Sequence, residues 1–251
     1  MNPEQSVSLS ALTQKMVSIL GLSGAPVGVR LLRPEAQRPV GVPLLERHRY
    51  CQALMKARRG QPVLLDESGM ACPAAAAAFG FRPLPEGLKS GKGLVGFGIV
   101  SDPEVGQCMF EYMPTLLPGQ VDCLHLFPLD QAEDWPDVVV VEDEVEKLMW
   151  INLAYLNVNG GERVQGSTAV LQATCVDSTI LPYLEGRMNF GFGCYGCRDA
   201  TDLGSNETVV GFPGRLLPAI TSQLAYLNEK AIPTSRAKKA FQALQHQDGR
   251  R

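Results

Sequence analysis

Residues 137–141 read Asp-Val-Val-Val-Val, four β-branched side chains in succession. Val is stiff at χ1 and packs well on a pleated surface, so the run predicts a strand. Successive side chains of a strand point to opposite faces, so an unbroken apolar run needs cover on both. A chain built round such a strand must put layers on each side of its sheet.

The other segments supply those layers. APVGVRLL (25–32), PVLLD (62–66), LVGFGIV (94–100), VDCLHLF (121–127), AVLQAT (169–174) and TVVGF (208–212) read as strands. An apolar stripe of Val7, Leu9, Leu12, Met16, Val17, Ile19 and Leu20 predicts a helix over 5–20. A second helix is expected over 44–60, with Leu44, Cys51, Leu54 and Met55 on one face and Gly60 as its stop. Pro73 fits the first position of a third, which puts Cys72 at a helix N-terminus. Residues 144–157 and a stretch from about Leu216 are also helical.

Strands alternating with helices give an α/β or α+β class, with a mixed sheet flanked by helices. No polar linker divides the chain, so residues 1–230 form one domain, and 231–251 a polar tail or surface helix. A weak internal echo (helix, glycine, apolar stretch, cysteine) leads to Cys72 in the first half and Cys175 in the second. Two pseudo-repeated halves facing each other are therefore an expectation to test.

A net charge of -3 without a basic block argues against nucleic acid and acidic lipid as partners. No apolar run reaches the ~18 residues that would predict a membrane span. The N-terminal residues lack a basic, then apolar, signal pattern, so a cytoplasmic, reducing location is expected. Seven cysteines in that setting do not form a disulfide framework, and their odd number would leave one unpaired.

Several motifs carry no chemistry. GKGLVG (91–96) matches a dinucleotide fingerprint, but it follows a loop and runs into an expected strand instead of opening a helix. His48, His125 and His246 have no metal-ligand spacing. The acidic run Glu142–Glu146 reads as a solvated turn and helix start.

The cysteines remain. Cys194 and Cys197 form a C-x-x-C step in which Gly191, Gly193 and Gly196 let the loop fold back on an ion. The polar stretch RDATDLGSNE that follows predicts no helix, which weakens a thioredoxin-like dithiol. Cys51, Cys72 and Cys175 are further ligand candidates, whereas Cys108 and Cys123 sit in apolar segments and read as core.

YCQALMKARRG, ACPAAAAAFGF, TCVDSTILPYLEG, GCYGCRDATDLGSNE and VVGFPGRLL resemble, in this order, the ArCR-like family, a domain of unknown function (number one-six-nine). The resemblance runs from about Pro26 to Leu217. It implies cysteines at the family positions Cys51, Cys72, Cys175 and Cys194, and a glycine turn from Gly193 to Arg198. It implies no activity. The chain departs from the family pattern at Cys197, an additional thiol, and in the alanine run after Pro73.

The leading expectation is an iron–sulfur cluster, of cubane type, held by four of Cys51, Cys72, Cys175, Cys194 and Cys197. Backbone N–H groups near Gly193 and Gly196 would bond its sulfurs, and Arg198 would offset its charge or hold an anionic substrate. An unidentified redox protein or small molecule would be the partner. Structural zinc in the same ligands is the alternative. A metal-free thiol protein using Cys72 or Cys194, and a binding module with buried filler cysteines, are the others.

Overall fold

The computed structural model describes residues 8–248. In chain order its elements begin with α1 (Leu9–Leu20), β1 (Val27–Leu32), α2 (Tyr50–Arg58), β2 (Val63–Asp66), α3 (Pro73–Ala78) and α4 (Glu86–Lys89). Then come α5 (Lys92–Gly96), α6 (Pro103–Glu111), β3 (Cys123–Pro128), β4 (Val138–Glu144) and α7 (Val145–Val158). A π-helix (Ala173–Ile180) runs into α8 (Leu181–Glu185), followed by β5 (Asn189–Gly191), α9 (Tyr195–Ala200) and β6 (Glu207–Pro213). The C-terminal elements are α10 (Leu217–Glu229), α11 (Ala231–Arg236) and α12 (Lys239–Asp248).

The six strands form one sheet in the order β2-β3-β1-β4-β6-β5, in a single domain of mixed α/β class. All its ladders are antiparallel, and parallel pairing is confined to two isolated bridges, Leu44 with Leu64 and His48 with Met70. The valine run does what its pattern requires. Val138 and Val140 of β4 join the core with α2, α3 and the π-helix, while Val139 and Val141 join the core with α1, α7 and α10. An antiparallel sheet usually wets one face; here helices cover both.

Local signals place the helices. Ser8 caps α1, its hydroxyl accepting from the Ala11 N–H, and Gly21 ends it in the left-handed region at φ 67°. Asp102 caps α6 ahead of Pro103. The Val7 end of the first predicted helix lies outside the described residues. The C-terminal segment is helical as far as it is described: Ile232 of α11 is buried in the second core, while Phe241 and Leu244 of α12 are exposed.

Three expectations need correction. LVGFGIV is not a strand: its first half is α5, capped by Gly91 at φ 72°. It packs on α4 and α6, where Gly91 and Gly106 let two backbones touch, so it never reaches a sheet edge. AVLQAT is not a strand: Val170 (φ 59°) and Gln172 (φ 55°) are in the left-handed region, and Ala173 and Thr174 already belong to the π-helix. The helix predicted from Leu44 starts at Tyr50, because Leu44 and His48 are held in bridges to the β2 region. No strand precedes Cys175 as β2 precedes Cys72, so the structure adds no support for two repeated halves. Cys72 and Cys175 nevertheless meet.

Candidate functional site

Four segments bring their thiols to one pocket. Cys51 comes from the first turn of α2, Cys72 caps α3, Cys175 lies in the π-helix, and Cys194 and Cys197 flank the start of α9. All five line a half-open cavity of about 280 Å³. Its remaining wall is largely apolar, with Leu94, Phe97, Ile99 and Phe110 opposite the thiols. Cys51, Cys175, Cys194 and Cys197 are buried and Cys72 is partly exposed; all are free thiols. Cys123 is buried elsewhere, whereas Cys108 is exposed on α6 and is not the core residue its segment suggested.

The C-x-x-C step does open a helix. Cys194 is the N-cap of α9, and its Sγ accepts from the Cys197 N–H at 3.1 Å. The expectation that nothing helical follows is therefore wrong. RDATDLGSNE lacks an apolar period because α9 stops after six residues. Gly193 makes the turn possible: at φ 78° an added Cβ would meet Leu203 Cδ2 at 2.6 Å.

The π-helix is equally specific in its bonding. Ser178 Oγ donates to the Ala173 carbonyl and Thr179 Oγ1 to the Thr174 carbonyl, each five residues back. Buried Tyr50 reaches Thr179 Oγ1 at 2.8 Å, and since that hydroxyl has spent its proton, Tyr50 is the donor. Burial raises the Tyr50 phenol well above its usual range. Thr174 Oγ1 lies 3.1 Å from Cys197 Sγ. Gly211 of β6 seats the π-helix, since a Cβ there would lie 1.8 Å from the Ser178 carbonyl oxygen.

Side chains at the start of α2 bond it to α9, and Arg58 at its end ties it to the residues around α9. Gln52 Nε2 donates to the Ala200 carbonyl at 3.3 Å, and Arg49 Nη1 to the Gly196 carbonyl at 3.1 Å. Buried Arg58 lies 3.1 Å from Asp202, 3.7 Å from Glu207 and 3.9 Å from Glu142. Glu142 is itself buried, and its carboxyl is pushed up to about 7 by desolvation, which Arg58 opposes. The acidic run thus begins inside the protein, not in solvent.

Electrostatics bear on three of the pocket thiols. Cys194 is raised far above an ordinary thiol because it donates to Cys197, whose sulfur is 2.8 Å away, and because it is buried. The same bond pulls Cys197 down, but contact with Cys51 and burial outweigh it and leave Cys197 at about 12. Burial raises Cys175 well above the usual range, reinforced by the neighbouring thiols Cys72, Cys197 and Cys194. These are not low-pKa nucleophiles at neutral pH.

Arg198, predicted to face the site, does not line the pocket. Its guanidinium holds the carbonyls of Phe192, Gly204 and Glu207 and so fixes the loop around α9. Arg49, which the sequence did not single out, is the arginine at the pocket. Gly196 contributes its carbonyl to Arg49, and the N–H groups aimed at the Cys194 sulfur come from Cys197 and Ala173.

With this arrangement in view, comparison with known families matches residues 15–223 to the family described as Uncharacterised ArCR. The chain belongs to that family. No curated protein and no solved structure matches it. The four cysteines that the ArCR resemblance singled out all line the pocket, and so does the additional Cys197. Among the described residues, no three Cys, His, Asp or Glu side chains stand in a finished metal-binding geometry. Cys194 and Cys197 turn their sulfurs to one another instead of toward a common centre.

No helix among the described residues is long and apolar enough to cross a membrane.

Proposed function

We propose that this ArCR protein binds an iron–sulfur cluster through four of Cys51, Cys72, Cys175, Cys194 and Cys197, in a redox role. The observation that carries the proposal is the convergence of five free thiols, from four separate segments, on one half-buried pocket. Burial and contact between the sulfurs raise Cys175, Cys194 and Cys197, so crowding these thiols gives the fold no thiolate of its own. Bound iron supplies the positive charge that converts them to thiolates. When bound, the cluster provides one-electron chemistry.

The chain's own groups act around it. The Cys197 and Ala173 N–H groups stabilise negative charge on the Cys194 sulfur. The apolar wall lowers the polarity around the thiols, and the hydrogen bonds from Arg49 and Gln52 to α9 hold Cys51 near the C-x-x-C step. Cys194 is assigned as a ligand and Cys197 as the exchangeable fifth thiol.

Protein purified without oxygen should be brown and contain iron and acid-labile sulfide. Zinc in place of iron, without sulfide, would replace the cluster by a structural metal. Colourless protein lacking iron and sulfide after anaerobic reconstitution would overturn the proposal.

A further inference from the structure

The π-helix faces a second cavity two residues beyond Cys175. This cavity, of about 360 Å³, lies between α6 and the segment 167–181. Its α6 side is apolar and soft, with Val105, Met109 and Met113, and exposed Tyr112 stands at its edge. Among the described lining residues Asp177 is the only charged one. It is 3 % exposed. Its Oδ2 accepts from Thr168 Oγ1 at 2.6 Å, and its Oδ1 has no hydrogen-bond partner among the described residues.

A buried carboxylate normally stands next to a cation or several N–H donors, because desolvating an unpaired charge is expensive. Asp177 has neither within the described chain. The backbone that shapes its surroundings is also held in an unfavourable state, since Val170 and Gln172 both have positive φ. Non-glycine residues keep that conformation where packing or function demands it. An apolar cavity with one fixed polar anchor is the usual form of a small-ligand site.

We infer that this cavity binds a small organic cation, a primary amine carrying an apolar body, with Asp177 as its anchor. The ammonium would donate to Asp177 Oδ1, and the apolar body would lie against the methionines and Tyr112. The inference does not depend on the cluster.

Benzylamine is the probe, with benzyl alcohol as its neutral counterpart, both titrated calorimetrically into the full chain. Exposed Cys108 lines the cavity, so its alkylation rate gives a second readout. Benzylamine should bind saturably and at least tenfold more tightly than benzyl alcohol, and should slow Cys108 alkylation. Asp177→Asn should lose about tenfold or more, as expected for removal of a charge-assisted bond. Val105→Trp, at a half-exposed rim position, should block binding without touching the core. No saturable heat, equal affinity for amine and alcohol, or unchanged affinity in both folded variants would overturn the inference.

Discussion

Glu142→Gln tests the buried charge cluster that ties the end of α2 to β4, β6 and the segment after α9. The Glu142 side chain is 3 % exposed, and Arg58, its counter-ion at 3.9 Å, is shared with Asp202 and Glu207. Desolvation therefore outweighs pairing, and the carboxyl rises from 4.5 to about 7. The folded state holds this proton more tightly than the unfolded chain. Below pH 4.5 the group is neutral in both states and costs nothing. Between 4.5 and 7 the unfolded chain gives up the proton first, so stability falls as pH rises and the loss is complete above 7. The shift corresponds to about 3 kcal/mol.

Glutamine keeps the shape and removes the titration. Asp177, also raised to about 7, and His125, lowered to about 4 by burial, titrate over overlapping ranges. Both are unchanged in the variant, so the difference between the two proteins isolates Glu142. Urea unfolding of reduced, metal-free protein at pH 4.5, 5.5, 6.5 and 7.5 measures it. The variant should gain about 3 kcal/mol on wild type across that span. A difference constant to within about 0.5 kcal/mol would refute the reasoning.

Two further outcomes follow from packing and exposure. Gly211→Ala should cost about 3 kcal/mol and lower bound iron, because its Cβ drives backbone against backbone and displaces Cys175. Gly196→Ala, whose Cβ would find Arg49 Nη1 at 3.6 Å, should be tolerated; denaturation and iron content of the two variants check the contrast. In metal-free protein at pH 8, mass spectrometry should find Cys108 alkylated first, because Cys175, Cys194 and Cys197 are buried and raised. Alkylation beginning at Cys194 would favour the nucleophilic thiol reading instead.

The layered architecture was legible because Val138–Val141 alternate between two cores, a pattern written one residue at a time. Cys51, Cys72, Cys175, Cys194 and Cys197 were singled out as ligand candidates, and the fold brings all five to one pocket. What stayed hidden depends on tertiary contact. The segment 94–100 has a strand's composition, but its first half is helical, where Gly91 is pressed against Pro103 and Gly106. Nothing in RDATDLGSNE signals α9, which its packing on α2 holds in place. Glu142 reads as solvent-facing among its acidic neighbours until Arg58 arrives from 84 positions away. Arg198 holds loop carbonyls away from the pocket, and Arg49, which the sequence did not single out, lines it; sequence spacing reveals neither set of contacts.

The most direct test of the cluster proposal is the iron and acid-labile sulfide content of protein purified without oxygen, together with its absorption spectrum. The account predicts iron and sulfide in equal amounts, about four of each per chain for a cubane, with a broad brown absorption. Protein that stays colourless and takes up neither after reconstitution, or that carries zinc without sulfide, would contradict it.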